Sequence, residues 1–378
     1  MQRRRVATAV GLVAALAVLG VGAIVVVPGS DAATTDLSVA ASALPPPPPA
    51  VLPTSGTVRW SAPSLPTGGS SVDGGTVIVG LDHRLSGRDA LTGAERWSYR
   101  RGNATLCGWT IEDGAVVAAF AKQHGCTDLI ALNAGTGARR WYRTAPDLGP
   151  DATLVGASGV VVARSGDQLI AVDTVTGLNR WTARRPGCQY GPVRLSVLGA
   201  AVVLACPART LLVDHDAYAD TEHWAVDVPG SDPTVVTVGD PTTLLSVLGG
   251  RPTLSVYDGR GKVRTSIADP RLAWGHDSVP TGFSAAGITL VWTGTTLLGI
   301  DTGTRAVRWS APTLGPPVQD GADVLVTQPG GFAQRAVSTG AVHRQLVLPG
   351  HPPGPATVPT RVGALVAASG RDTLTVYG

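Results

Sequence analysis

Lysine is nearly missing from this chain of 378 residues, which has only Lys122 and Lys262 and carries the rest of its fixed positive charge on arginine. Methionine occurs once and phenylalanine three times, a bias that suggests a GC-rich genome. No basic run follows Arg3, Arg4 and Arg5, and these three account for the whole formal charge of +3. The remainder is neutral and gives no support to nucleic-acid binding. The four cysteines are never spaced C-x-x-C and the seven histidines show no ligand spacing, which counts against a metal site. No nucleophile-elbow motif marks a Ser, His and Asp set.

The long apolar run lies at the start. Val6 to Val27 carries no charge or strongly polar side chain, follows the three arginines and stops at Pro28, Gly29, Ser30 and Asp31. It is long enough to cross a bilayer. Residues 1–5 therefore read as a cytoplasmic basic stub and 6–27 as a transmembrane signal-anchor helix, with the rest exported by the positive-inside rule. The expected location is the cell membrane, single-pass, with the body extracytoplasmic. A cleaved signal is the alternative, with Asp31-Ala32-Ala33 or Ala41-Ser42-Ala43 as weak cleavage sites. No cysteine follows the run, which argues against a bacterial lipoprotein. Residues 28–54, with Pro45 to Pro49 and Pro53, read as an extended polyproline tether that holds the body off the membrane.

From Ser55 onward the chain is repetitive. Ala131 to Trp141 reads ALNAGTGARRW, and its frame returns as DALTGAERW at Asp89–Trp97, DTVTGLNRW at Asp173–Trp181 and DTGTRAVRW at Asp301–Trp309. An apolar, β-branched run leads into each copy, the Asp or Asn can bond amides ahead of it, and Gly suits a positive φ. Each copy is thus a turn between two strands, the second carrying a Trp large enough to bridge neighbouring sheets. Trp60, Trp97, Trp141, Trp181, Trp224 and Trp309, with Thr265 and Arg344 where Trp is replaced, recur about every 41 residues, room for four short strands. Three copies depart from the frame: Ala219 and Asp220 fill the Thr and Gly slots, the turn before Thr265 is one residue short, and Arg344 stands for Trp.

The expected architecture is all-β: an eight-bladed β-propeller over 55–378, with seven blades as the alternative if one degenerate copy forms no sheet. The stretch after Arg344 lacks a final strand, and Ser55-Gly56-Thr57-Val58-Arg59-Trp60 matches the missing half-frame. An N-terminal strand would close the last sheet and remove two open edges.

The frame A-x-[DN]-x-x-T-G-x-x-x-W resembles the tryptophan-docking repeat of the quinoprotein (PQQ-like) β-propellers over roughly 55–378. That superfamily includes alcohol dehydrogenases using pyrroloquinoline quinone and Ca²⁺, and also a non-enzymatic outer-membrane assembly lipoprotein. The dehydrogenases carry adjacent cysteines and longer loops, which this chain lacks. No Glu, Asn or Asp here matches their catalytic positions, so no catalytic, cofactor or metal residue is carried over. The resemblance therefore implies a membrane-anchored interaction scaffold for extracytoplasmic or envelope proteins, with no cofactor. A PQQ-dependent dehydrogenase with a divergent site is the alternative, and only it brings PQQ and Ca²⁺.

Cys107 and Cys126 fall in the second repeat, Cys188 and Cys206 in the fourth, at separations of 19 and 18. Two local disulfides are expected in an exported body, and four buried thiols are the alternative. The acidic run Asp214-His215-Asp216 departs from a Ca²⁺ loop at Ala219 and Ala225 and reads as a solvated turn. Trp109, Tyr190 and Trp274 fall 9 to 12 residues after a repeat marker, where loops gather at one rim, with Gln189 and His276 beside them. They are candidate partner anchors, against the alternative of packing between blades.

Overall fold

The computed structural model describes residues 31–67, 69–122, 125–145, 148–239, 241–275 and 278–378. The expected transmembrane segment 6–27 and the basic stub lie outside these residues. Among the described residues, no helix is long and apolar enough to cross a membrane.

Short β-branched runs separated by tight turns form eight antiparallel sheets. In chain order these are blades 1 (72–101), 2 (105–144), 3 (153–184), 4 (189–227), 5 (231–268), 6 (281–312), 7 (318–347) and 8 (358–377 with 58–63). Blade 3 shows the pattern: Thr153–Ala157, Val160–Ser165, Gln168–Asp173 and Asn179–Arg184 pair in sequence as a meander. The second and third strands of the blades are mostly buried, as sheets covered on both faces require, with the third strands of blades 1 and 7 half-buried. First strands of neighbouring blades touch, so they ring the axis while the fourth strands face outward.

Eight blades form, and the seven-blade alternative falls away. Blade 5 keeps its four strands although Thr265 replaces Trp, and blade 7 keeps its own with Arg344. Burial between neighbours supplies what the degenerate copies lose in local signal. Val58–Pro63 pairs antiparallel with Thr373–Tyr377 as the outer strand of blade 8, so the N-terminal strand closes the ring.

The described part of the expected tether does not stand off from the body. A four-residue helix, Asp31–Thr34, leads into the strand Thr35–Ser38, which adds a fifth strand to blade 1 against Glu95–Arg101. The chain then crosses the face formed by the turns between first and second strands. The Ala40 amide donates to the Thr136 carbonyl, and the Arg361 guanidinium donates to the Ala50 carbonyl. Leu44 and Pro45 lie on Gly74 and Gly75 of blade 1, and Pro47 lies on Gly363 of blade 8. A Cβ at Gly75 would fall 2.9 Å from the Pro45 carbonyl oxygen, so the bare backbone there is what admits the segment. Leu52 ends buried at 1 % exposure among Leu325, Phe332, Leu346 and Val366. The segment is extended, as its prolines dictate, but it is a strap and not a free spacer.

Asp31 fixes the strap's outer end. Its carboxylate meets Arg101 at 3.0 Å and Lys122 at 2.5 Å, and both cations also meet buried Asp128, at 3.0 and 2.8 Å. A guanidinium as buried as that of Arg101 is tolerable because two carboxylates face it.

Candidate functional site

The repeated turn is a fastener between blades. Trp97 of blade 1 donates its indole N–H to the Ala134 carbonyl of blade 2, 2.9 Å away. The same bond joins Trp60 to Ala90, Trp141 to Thr174, Trp181 to Ala217 and Trp309 to Val337. Trp224 instead lies on Gly261 of blade 5 and stacks with Tyr257. The turn that receives the ring is held by its acid or amide: Asp173 Oδ1 accepts from the Val175 and Thr176 amides, and Asn133 Oδ1 from the Thr136 amide. Its glycine has two reasons to be glycine. Gly137 has φ 75°, and a Cβ there would sit 2.6 Å from the Trp97 ring.

These turns also set charge states. Burial opposes ionisation of Asp173, but the Thr176 amide, Arg180 and the Thr176 hydroxyl outweigh it and bring the carboxyl down to about 2. The Thr304 amide and Arg308 hold the Asp301 carboxyl at about 2 as well.

Both expected disulfides are present, Cys107–Cys126 in blade 2 and Cys188–Cys206 in blade 4. Cys107 is the extra residue where the first strand of blade 2 slips register between Leu106 and Gly108. That bulge frees its side chain to reach the third strand. Cys188, in the connector from blade 3, ties to the loop between the second and third strands of blade 4, which anchors a segment with little ladder of its own. Pro192 interrupts this blade's first strand, leaving Gln189–Tyr190 and Arg194–Ser196 as two pieces.

The candidate partner anchors are not gathered into one site. Trp109 is 1 % exposed, with its indole nitrogen over Gly80 of blade 1, and Tyr190 is buried between blades 3 and 4. This corrects the rim assignment for both: their connectors lead inward, and large rings fill the space between sheets. Gln189 is exposed on blade 4, and Trp274 is half-buried beside a cleft of about 410 Å³ with Asp232 and Pro252. His276 lies outside the described residues. The acidic run of blade 4 forms a turn in which Asp216 accepts from the Tyr218 and Ala219 amides, and His223 meets Asp214 at 2.8 Å. Among the described residues no group of acids, cysteines or histidines is placed to hold a metal.

Two further surfaces emerge that sequence reasoning missed. On the axis lies a cavity of about 680 Å³, lined by Thr153, Arg164, Arg194, Phe283, Gln319 and Thr360 among others. Acids near the axis lie instead at the far ends of first strands, where burial pushes up the carboxyls of Asp73 and Glu112. The sequence signal for the cavity is faint: a single Arg in each of two apolar stretches, VVVARS and PVRLSV. The second surface is apolar. Val175 and Leu178 on a turn of blade 3, and Val197, Leu198 and Tyr218 on turns of blade 4, are all exposed, Val197 at 67 % and Leu198 at 60 %. These turns open on the face the strap crosses at blades 1 and 8.

Comparison with known proteins agrees with this geometry. A family model described as outer membrane protein assembly factor BamB matches residues 49–186 and 112–210. A serine/threonine-protein kinase, AfsK of Streptomyces griseus, is 36 % identical over 125 residues, 30 % of this chain and 15 % of that protein. The chain thus spans a small part of that curated relative's length. Among solved structures, BamB from Moraxella catarrhalis is similar over 85 % of this chain and 99 % of its own, with 17 % identity and a TM-score of 0.54. The quinohemoprotein alcohol dehydrogenase ADHIIG of Pseudomonas putida HK5 is similar over 85 % and 75 %, with 12 % identity and a TM-score of 0.51. At these identities the structural likenesses speak for the fold alone. Repeat frame, family model over 49–210 and fold all resemble those of the PQQ-like β-propellers, consistent with what the tryptophan frame implied.

Proposed function

We propose that this chain is an extracytoplasmic β-propeller that binds other proteins of the cell envelope, as a scaffold in envelope assembly, and that residues 6–27 hold it at the membrane. The observation that carries the reading is the apolar group on blades 3 and 4. Five large apolar side chains exposed on three turns of two neighbouring blades, all on one face, support a contact surface there. The match to the assembly-factor family over 49–210 includes these two blades up to the end of that span and supports the same setting. Disulfides in blades 2 and 4 suit an oxidising compartment outside the cytoplasm.

The test is made in cells. Val197→Asp combined with Leu198→Asp places two charges on the patch without touching the core. Chemical crosslinking in intact cells followed by mass spectrometry should lose specific envelope partners in this variant, while the melting temperature of the body stays the same. Unchanged crosslinks would count against the patch as the contact surface. A crosslink pattern limited to cytoplasmic proteins would count against the location.

A further inference from the structure

Among the described residues, the lining of the axial cavity carries positive charge only. Arg164 and Arg194 are the charged residues of its lining, and among the described residues no acid lines it. Arg194 is also the charged lining residue of a second cavity, of about 310 Å³, that it shares with Val197, Leu198 and Phe283. Its Nε donates to the Val235 carbonyl at 3.2 Å and its Nη2 to the Pro280 carbonyl at 2.9 Å. The group is thus fixed between the inner strands of blades 4, 5 and 6, and a guanidinium with five N–H donors still has donors to spare.

Among the described residues no carboxylate pairs with Arg194, and loss of water alone pulls its pKa down to about 10. Arg194 is half-buried, and holding a cation partly away from water without a counter-charge carries a cost that a bound anion would relieve. Arg164 donates to the Thr153 hydroxyl at 3.1 Å and to the Tyr190 carbonyl at 2.8 Å. Asp151 accepts from the Ser165 hydroxyl and the Gly166 amide, and the Arg164 charge also helps to hold its carboxyl low, so Arg164 has an acid nearby and Arg194 is the cation of the two without one among the described residues. Leu154, Val193, Val279, Phe283 and Val318 give the same cavity apolar walls.

We infer that the axial cavity binds a carboxylate carried on an apolar body, with Arg194 as its ion-pairing group and Arg164 as a second donor. The planar fork of a guanidinium suits a carboxylate, and the walls suit the rest of such a ligand. The carboxylate belongs either to a small free acid or to an acidic side chain of an inserted protein segment. The inference goes beyond the scaffold reading and is tested apart from it, since it concerns the axis and not capture by the apolar turns.

The experiment titrates the full chain with hexanoate, with the blocked tripeptide acetyl-Phe-Glu-Phe-amide, and with their uncharged counterparts hexanamide and acetyl-Phe-Gln-Phe-amide, read by calorimetry. At least one carboxylate should bind at least tenfold more tightly than its amide. That preference should vanish in Arg194→Gln and survive in part in Arg194→Lys. Binding of hexanoate identifies a free acid as the source, and binding of the peptide alone identifies a protein segment. The inference is overturned if neither carboxylate binds in the millimolar range, or if Arg194→Gln binds it as tightly as the natural chain. If Arg194→Gln does not fold, equal binding of acid and amide by the natural chain overturns it.

Discussion

At the scale of single residues, the tryptophan and the glycine it rests on form one unit split between two blades. Gly137→Ala meets two obstacles, a left-handed backbone and the Trp97 ring 2.6 Å from the new Cβ. The expected loss is about 2 to 5 kcal/mol in urea unfolding, the sum of strain and overpacking. Gly250→Ala has a similar φ, 78°, but nothing within 4 Å, and should lose only the backbone part, about 1 to 2 kcal/mol. Equal losses at the two sites would mean that the ring contact contributes nothing.

Asp173 gives the pH counterpart. Its carboxyl is depressed from 3.8 to about 2, so its contribution is fully present above pH 3.8 and is lost as pH falls through about 2. A shift of that size corresponds to about 2 kcal/mol. Asn already serves at the equivalent position 133 and keeps the amide-accepting oxygen. Asp173→Asn should therefore cost stability at pH 6 and progressively less below pH 4, measured by urea unfolding at each pH. A difference independent of pH would rule out the charge as its source.

These residues were legible in the sequence because spacing reports a turn directly. Trp109 and Tyr190 were not, because position within a connector does not say which way a side chain points. Arg194 was not legible either: what distinguishes it is that, among the described residues, no acid faces it across the axis, and its neighbours come from blades far apart in sequence.

At the scale of elements, strand pairing followed from the apolar runs, and each blade formed whether or not its copy of the frame was intact. The strap was the element that composition misjudged. Five consecutive prolines do favour an extended chain without a ladder, and Pro45 to Pro49 form none. Composition could not show that Gly74, Gly75 and Gly363 leave room for that chain to lie down, or that Leu52 finds a slot between blades 7 and 8. Leu52→Ala should destabilise the body by about 2 to 5 kcal/mol, as for a fully buried leucine, measured by chemical denaturation. No change would return the segment to the role of a loose tether.

At the scale of the whole molecule, the ring is closed by its own N-terminal strand. Eight blades were legible because the residues after Arg344 and the half-frame before Trp60 complement each other. Function was not legible in the same way, since the repeat that fixes the architecture is shared by assembly factors and dehydrogenases. What separates one such propeller from another lies on the turns and along the axis, where the copies differ.

If the apolar turns of blades 3 and 4 hold an envelope partner, site-specific photo-crosslinking in living cells will capture it there. A photoreactive residue placed at Leu198 should trap a defined extracytoplasmic protein, while one at exposed Arg371, on a loop of the opposite face, should not. Equal trapping from both positions, or none from Leu198 above background, would mean that these turns hold no partner.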